Sequence, residues 1–226
     1  MNDPFVARRN DMVDHQIAAM GIEDAQVLAA MRKVPRHAFV PERLIDVAYA
    51  DGPLPIGDGQ TISQPYVVAH MTEALQLRGG EHILEIGTGS GYAAAVLAEI
   101  AADVVTVERL PVLAAQARAR LEQLGYRNVQ VADGDGTLGW ALAAPYDAIV
   151  VSAGGPVVPP TLRGQLKPGG RLVMPVGPDT YGQTLVRVTR GAGGQDHEEQ
   201  LSLVSFVPLI GAEGWQGPPR PQSGGA

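Results

Sequence analysis

The fold is decided by a stretch in which a buried strand breaks into a glycine turn and then a helix. It reads Ile83-Leu84-Glu85-Ile86-Gly87-Thr88-Gly89-Ser90-Gly91-Tyr92. Residues 83–86 have the length and branched side chains of an interior strand, and residues 93–98 are strong helix formers with an apolar stripe. Because glycine lacks Cβ, the turn between them can approach a ligand closely, and free N–H groups at a helix start favour anionic or polar ligand groups. The stretch therefore predicts a nucleotide-type binding turn.

The spacing of the glycines narrows the class of ligand. The dinucleotide fingerprint needs a further glycine where this chain has Tyr92, which disfavours a nicotinamide-dependent dehydrogenase. A second strand, residues 104–107, ends in Glu108, which lies 21 positions after Gly87. That position fits an acid that binds two ribose hydroxyls.

Composition points to one globular domain. At 226 residues, with 45% hydrophobic and 18% charged residues, the chain can bury one substantial core. A formal net charge of −7 without a basic run disfavours nucleic acid or an anionic membrane as a partner. The absence of cysteine removes disulfides, thiolate catalysis and cysteine-ligated zinc. With no apolar leader segment and no apolar run of membrane-spanning length, we expect a soluble, cytoplasmic protein.

The residues before the glycine turn predict helices joined by a long loop. Asp24 is placed to cap a helix that must end before Pro35, and a short helix follows near residues 44–48. The Pro and Gly content of residues 51–59 predicts a packed surface loop without regular structure. Pro65 then opens a helix, so Ser63 is predicted to cap that helix, a role compatible with ligand contact.

After the glycine turn, helical and strand patterns alternate. We expect a helix over 111–124, strands over 129–131, 146–152 and 172–176, and a short helix near 161–166. Strands over 184–189 and 201–207 leave no room for a crossover helix and should pair antiparallel. In a doubly wound sheet, Asp135 should face the adenine edge of a ligand beside Glu108. Residues 217–226 are rich in Pro, Gly and Ser and are expected to be disordered.

Several further motifs occur in order along the chain. They are Val34-Pro35-Arg36, Phe39-Val40, Leu54-Pro55-Ile56-Gly57, Gln60-Thr61-Ile62-Ser63-Gln64-Pro65, Gly134-Asp135-Gly136 and Phe206-Val207-Pro208-Leu209. The glycine turn and its following acid resemble those of the Rossmann-like S-adenosylmethionine methyltransferases as a class. With the other motifs added, the chain resembles the protein-L-isoaspartate O-methyltransferases over nearly its whole length.

This resemblance implies methyl transfer from S-adenosylmethionine to the free carboxylate of L-isoaspartyl residues in damaged proteins and peptides. S-adenosylhomocysteine is the product, and no metal is implied. Ser63 is carried over as the catalytic residue, which would hydrogen-bond the incoming carboxylate. The implied cofactor-binding residues are Thr61, Ile62, Ser63, Glu85, Gly87, Gly89, Gly91, Glu108, Arg109, Asp135 and Gly136. The implied substrate-binding residues are Ile62, Ser63, Val207, Pro208 and Leu209.

The implied fold is an α/β Rossmann-like methyltransferase, with a doubly wound, mostly parallel sheet, an antiparallel C-terminal hairpin and an N-terminal helical extension. We expect one methyltransferase domain over 1–226, present as a monomer. Residues 1–62 would carry the N-terminal helices and substrate loop, and residues 63–190 the cofactor-binding core. Residues 191–216 would carry the C-terminal strand and substrate segment, followed by the disordered tail.

Alternatives stay open at this point. A methyltransferase that acts on normal aspartate in a dedicated peptide, or on a small molecule, would share every cofactor residue. A non-catalytic adenosine-binding module would keep the glycine turn, but Ser63 together with the complete cofactor set argues against it.

Overall fold

The computed structural model describes residues 3–178 and 182–217. Its strands form a small hairpin and a seven-stranded sheet. The strands are β1 (Leu54–Gly57), β2 (Gln60–Ile62), β3 (His82–Ile86), β4 (Asp103–Glu108), β5 (Val129–Asp133), β6 (Tyr146–Val151), β7 (Leu166–Val176), β8 (Gln183–Arg190) and β9 (Asp196–Val204). The large sheet has the order β5-β4-β3-β6-β7-β8-β9. Strands β3 to β7 run parallel, whereas β8 and β9 are antiparallel to their neighbours. The predicted doubly wound sheet with an antiparallel C-terminal hairpin is confirmed.

Helices cover the sheet and form the N-terminal extension. They are α1 (Val6–Met12), α2 (Ala25–Lys33), α3 (Pro65–Ala74), α4 (Tyr92–Ala98), α5 (Pro111–Gln123) and α6 (Pro160–Gly164). Shorter helical turns, a π-turn at Val13–Ile17 and 3-10 turns such as Glu42–Val47, connect them. Asp24 caps α2 as predicted, since its carboxylate accepts from the amides of Gln26 and Val27. Asp24 therefore fixes where the second helix of the extension begins.

The strand order places a ligand crevice at one edge of the sheet. From central β3, the chain moves to β4 and β5 on one side and then returns to β6 and β7 on the other. Ile86, at the end of β3, pairs with Val107 of β4 and with Val151 of β6. Parallel α/β sheets bind ligands where the strand order reverses, beyond the carboxyl ends of the strands. The glycine turn after β3 lies at that point.

The expectation of an irregular loop over residues 51–59 is wrong, because this segment supplies most of the hairpin β1–β2. Gly57 pairs with Gln60, and the connection between them is Asp58-Gly59. Both turn residues have positive φ, 49° at Asp58 and 70° at Gly59, which is typical of tight two-residue hairpin turns. The sequence signal for this hairpin is Asp-Gly between two short strand segments, and the high Pro and Gly content of the whole stretch obscures that signal.

The prediction that Ser63 caps α3 is also wrong. Gln64 is the N-cap residue, and no side chain in the described part of the chain caps that helix. Pro65 occupies the first helical turn, where its missing N–H costs nothing. Ser63 thus lies one residue ahead of the helix and is half-buried, with its hydroxyl outside the capping position.

A buried arginine joins the N-terminal extension to the core. Arg36 is fully buried, and its Nε donates to the carbonyl of Ala48 at 2.8 Å. Its guanidinium lies 4.9 Å from the ring centroid of Tyr92, the first residue of α4. A desolvated guanidinium over an aromatic face contributes about 2 kcal/mol. The residues that lead to the hairpin are thereby fastened to the helix that follows the glycine turn.

The C-terminal strands confirm the antiparallel prediction, but β9 spans Asp196–Val204, so it begins and ends earlier than the predicted strand over 201–207. The sheet continues from β8 into β9 across the predicted boundary at residue 190. The disordered tail was predicted for 217–226, and all of it except Gly217 lies outside the described residues. Across residues 3–178 and 182–217, no helix is both long and apolar enough to cross a membrane.

Candidate active site

The glycine turn leaves β3 and enters α4 with an unusual backbone path. Gly87, Gly89 and Gly91 have φ values of 90°, 51° and 89°, a region that residues with a Cβ rarely adopt. A Cβ on Gly87 would lie 3.5 Å from Cβ of Ser152, and one on Gly91 would lie 3.3 Å from Leu121. At Gly87 such a Cβ would make only an ordinary contact, so the positive φ is what requires glycine there, whereas at Gly91 a Cβ would also crowd Leu121 of α5.

A cavity of about 770 Å³, counted to its open mouth, lies over this turn. Its walls come from β2, the glycine turn, the ends of β4 and β6, and the segment after β9. The predicted residues that line it are Thr61, Ile62, Ser63, Glu85, Gly87, Gly89, Glu108, Arg109, Gly136, Val207, Pro208 and Leu209. The structure thus brings together residues from distant parts of the sequence, as the motifs predicted.

Gly91 and Asp135 are the two predicted residues outside that lining. Gly91 packs against α5. Asp135 uses its Oδ1 to accept hydrogen bonds from the amide and hydroxyl of Thr137, and its Oδ2 to accept from the amide of Ala212. Both carboxylate oxygens thus accept hydrogen bonds within the protein, and each keeps a lone pair. Asp135 is not among the residues that line the cavity, although its neighbour Gly136 is, and a contact between Asp135 and the ligand stays a prediction.

Glu108 closes one side of the cavity and is 6% exposed. Its Oε2 accepts from the amide of Gly89 at 2.9 Å, and its Oε1 accepts from the amide of Leu110 at 3.0 Å. Each carboxylate oxygen has a second lone pair for a ligand donor. Glu108 is therefore both a candidate ligand group and a support for the glycine turn.

Glu85 forms part of the cavity floor and is fully buried. Its Oε2 accepts from the hydroxyl of Thr106 at 2.5 Å, and that hydroxyl pairs with Thr88 at 2.6 Å. Burial raises the pKa of Glu85 to about 8, the Thr106 hydrogen bond opposes the rise, and the charge of Glu108 adds to it. No described donor or acceptor reaches Oε1. A buried carboxyl oxygen at the cavity wall suits a ligand cation or donor.

Ser63 lies where two spaces meet. A groove of about 980 Å³ adjoins the cavity, and Thr61, Ser63, Ser152 and Val207 line both. The groove residues that the structure describes are all uncharged. This arrangement allows one molecule in the cavity and another in the groove to touch at Ser63.

Sequence reasoning missed several residues of the cavity wall. Ser152 follows β6 directly, and its amide donates to the carbonyl of Ile86 at 2.8 Å. The rule that selected Glu108, a polar residue at the carboxyl end of a buried parallel strand, would have found Ser152 too. Ile210 gave no such signal, because its place in the wall depends on how the chain folds back after β9.

The family model described as Protein-L-isoaspartate(D-aspartate) O-methyltransferase (PCMT) matches residues 7–214. The chain belongs to this family. Protein-L-isoaspartate O-methyltransferase 1 of Rhodopseudomonas palustris strain HaA2 is 63% identical over 211 residues, covering 93% of this chain and 86% of the relative. The protein-L-isoaspartate O-methyltransferase of Methanoculleus marisnigri is 56% identical over 219 residues, covering 97% and 99%. Membership confirms the predicted enzyme class.

Solved structures agree with the fold. A protein-L-isoaspartate O-methyltransferase superposes with a TM-score of 0.83 at 29% identity, covering 91% of this chain and 67% of that chain. A Plasmodium falciparum protein described by the same family name, solved in complex with S-adenosyl-L-homocysteine, superposes with a TM-score of 0.76 at 24% identity. The superposed region covers 89% of this chain and 98% of the Plasmodium chain. The agreement in fold thus extends over about nine tenths of this chain.

Proposed function

We propose that the cavity binds S-adenosylmethionine and that the groove presents to it an isoaspartyl residue of a damaged protein or peptide. The observation that carries this proposal is the position of Ser63 in the walls of both spaces. A methyl donor in one space and a carboxylate in the other would meet at this residue. The family match supports the same assignment.

The cavity residues fit this cofactor chemically. Glu108 has carboxylate lone pairs for two ribose hydroxyls, and Glu85 has a buried oxygen for an ammonium group. Gly136 lines the cavity beside Ile86 and has to be glycine, since a Cβ there would overlap Cγ2 of Ile86. When bound, the cofactor supplies a methyl group on a positively charged sulfur. Within the described residues, no group of three His, Cys, Asp or Glu side chains is placed to hold a metal ion, and use of no metal stays a prediction.

Ser63 would orient the substrate. The free carboxylate of an isoaspartyl residue has a pKa of about 3.5 and is ionised at neutral pH, so it needs no general base. The Ser63 hydroxyl donates a hydrogen bond to one carboxylate oxygen and leaves the other free to accept the methyl group. Positioning of this kind is the main contribution that the protein makes to the rate. Val207, Pro208 and Leu209 would face the backbone of the substrate.

The experiment that tests the proposal compares two peptides that differ only in one residue, isoaspartate or aspartate. Each is incubated with the protein and labelled S-adenosylmethionine. We expect label in the isoaspartyl peptide, released on mild alkaline hydrolysis as expected of a carboxyl ester, and none in its twin. Equal labelling would support the alternative that normal aspartate is the substrate, and no labelling of either would favour a small-molecule acceptor. Monomeric state and cytoplasmic location stay predictions.

A further inference from the structure

The chain after β9 forms a strap over the cavity, which we define as residues Val207–Trp215. Its first four residues line the cavity, and Val207 lines the groove as well. Gly154, which follows β6 and Ser152, donates its amide to the carbonyl of Val207 and accepts from the amide of Leu209, both at 2.8 Å. The strap then turns back, since the amide of Trp215 donates to the carbonyl of Leu209 at 2.8 Å. One end of the strap is thus fixed to the sheet.

The other end is held by side chains that follow β5. Asp135 Oδ2 accepts from the amide of Ala212 at 2.7 Å. Thr137 Oγ1 donates to Asp135 Oδ1 at 2.7 Å and accepts from the amide of Glu213 at 3.1 Å. The carboxylate of Glu213 in turn accepts from the amide and hydroxyl of Thr161 at 2.9 and 2.5 Å. These bonds form a continuous network from β5 through the strap to α6.

The contact between the strap and Asp135 is close. A Cβ on Gly211 would overlap Oδ1 of Asp135 and would lie 2.7 Å from Cγ2 of Thr137. Thr137 is fully buried, so it cannot move aside. The strap therefore lies against this pair only because residue 211 has no side chain.

Asp135 remains a strong acceptor in this setting. Burial alone would raise its pKa, but hydrogen bonds from the amide of Ala212 and from Thr137 lower it below the ordinary value for an aspartate. A hydrogen bond from a backbone amide to an ionised carboxylate is roughly twice as strong as a neutral one. The bond to Ala212 is therefore a charge-assisted tie on this side of the strap, as is the bond from the Thr161 amide to Glu213.

We propose that Asp135 is a positioning residue, which acts with Thr137 through the amides of Ala212 and Glu213 to hold the strap as a shared wall of cavity and groove. Gly136 lies between them and lines the cavity. A single three-residue segment thus lines the cavity through Gly136 and holds the strap, which lines it as well. Asp135 acts on both ligands through the strap, and Thr137 and Gly211, which form the same contact, should share that effect. The activity readout of this inference rests on the proposed function.

The test uses three variants that break the same contact in different ways. Asp135→Asn keeps one oxygen for Thr137 but turns an amide N–H₂ toward the Ala212 amide. Thr137→Val removes the hydroxyl and keeps the shape, and Gly211→Ala pushes the Asp135 carboxylate away. The matched control is Gly217→Ala, since no described heavy atom lies within 4 Å of a Cβ at Gly217.

Two measurements are made on each variant. Hydrogen exchange at the amides of Ala212 and Glu213 should speed up by about tenfold or more in all three variants and stay unchanged in Gly217→Ala. The KM for an isoaspartyl peptide should rise by a similar factor in the same three variants, with a smaller change in kcat. Thr137→Ser should restore both values toward wild type, because it returns the hydroxyl.

The inference fails if exchange at Ala212 stays slow in Asp135→Asn. It also fails if Asp135→Asn alone weakens S-adenosylhomocysteine binding while Thr137→Val and Gly211→Ala behave as wild type, because that pattern indicates a direct ligand contact. If Thr137→Val does not fold, Asp135→Asn and Gly211→Ala decide the question. Exchange needs no substrate, so an inactive wild type would contradict the proposed function and leave this test intact.

Discussion

With helix capping excluded, the role proposed for Ser63 in orienting the substrate predicts a simple phenotype. We expect Ser63→Ala to lower kcat by about ten- to a hundredfold, the effect of losing a hydrogen bond of about 1.5 to 3 kcal/mol to a charged oxygen. S-adenosylhomocysteine affinity should be unchanged by calorimetry. The free energy of unfolding should change by less than about 0.5 kcal/mol, because no cap is lost. A kcat equal to that of the wild type would mean that backbone amides near Ser63, and not its hydroxyl, orient the substrate.

Glu85 predicts a pH dependence of cofactor binding. With a pKa raised to about 8, this carboxyl group holds its proton at pH 7 in the ligand-free protein. An ammonium group beside its free oxygen would favour the ionised form, so binding should release a proton. The affinity for S-adenosylhomocysteine should therefore rise between pH 6 and 8 and level off above. Calorimetry in two buffers of different ionisation enthalpy counts the protons, and Glu85→Gln should release fewer.

The same group sets the sign of a stability change. Because the folded-state pKa lies above the unfolded value of about 4.5, the folded ligand-free protein binds the proton more tightly. The contribution of Glu85 to the free energy of unfolding is complete below pH 4.5. It falls by about 1.4 kcal/mol per pH unit as the pH rises toward 8. Urea unfolding of Glu85→Gln should show a flatter decline over this range. An identical decline in both proteins would mean that Glu85 is already ionised at neutral pH.

At the scale of elements, the hairpin β1–β2 covers the glycine turn. A Cβ on Gly89 would lie 3.4 Å from the side-chain atom Cδ1 of Ile56 in β1, so the hairpin side chain packs directly against the glycine turn. Gly59→Val puts a β-branched residue at a φ of 70°, which costs about 1 to 3 kcal/mol. We expect this variant to weaken S-adenosylhomocysteine binding, measured by calorimetry. Gly59→Asn is the matched control, because asparagine tolerates positive φ. An equal loss of affinity in both variants would mean that the conformation of this turn does not control binding.

The elements also show how far the sequence could lead. Periodicity and the glycine spacing predict the parallel strands, the glycine turn and the position of Glu108 at the end of β4, because each depends on residues close in sequence. The hairpin was missed because counting Pro and Gly hid the two-residue turn at Asp58. The hydrogen bonds of Asp135 could not be predicted, for a different reason. Its partner Ala212 lies 77 residues away, and no local pattern reports which backbone amide will arrive beside a carboxylate.

At the scale of the whole molecule, the groove offers a route for a substrate chain, and its chemistry predicts a preference. Leu203 at its wall is 80% exposed, and the lining residues that the structure describes are uncharged. We expect Leu203→Glu to raise the KM for isoaspartyl peptides with acidic flanking residues by about threefold or more, and to spare peptides with basic ones. Leu142→Glu adds the same charge at a residue that is 88% exposed and outside the groove. If both variants behave alike, net charge rather than the groove sets the preference.

The buried Arg36 bears on how such enzymes could be recombined. Its guanidinium donates to two carbonyls of the extension, those of Ala48 and Gly52, and takes its aromatic partner, Tyr92, from the core. A chimera that grafts residues 1–62 onto another methyltransferase core would bury this charge without its ring unless the recipient carries an aromatic residue at the start of the corresponding helix. A chimera that carries the extension therefore needs Tyr92 as well. A design that moves residues 1–62 without this ring should yield insoluble protein.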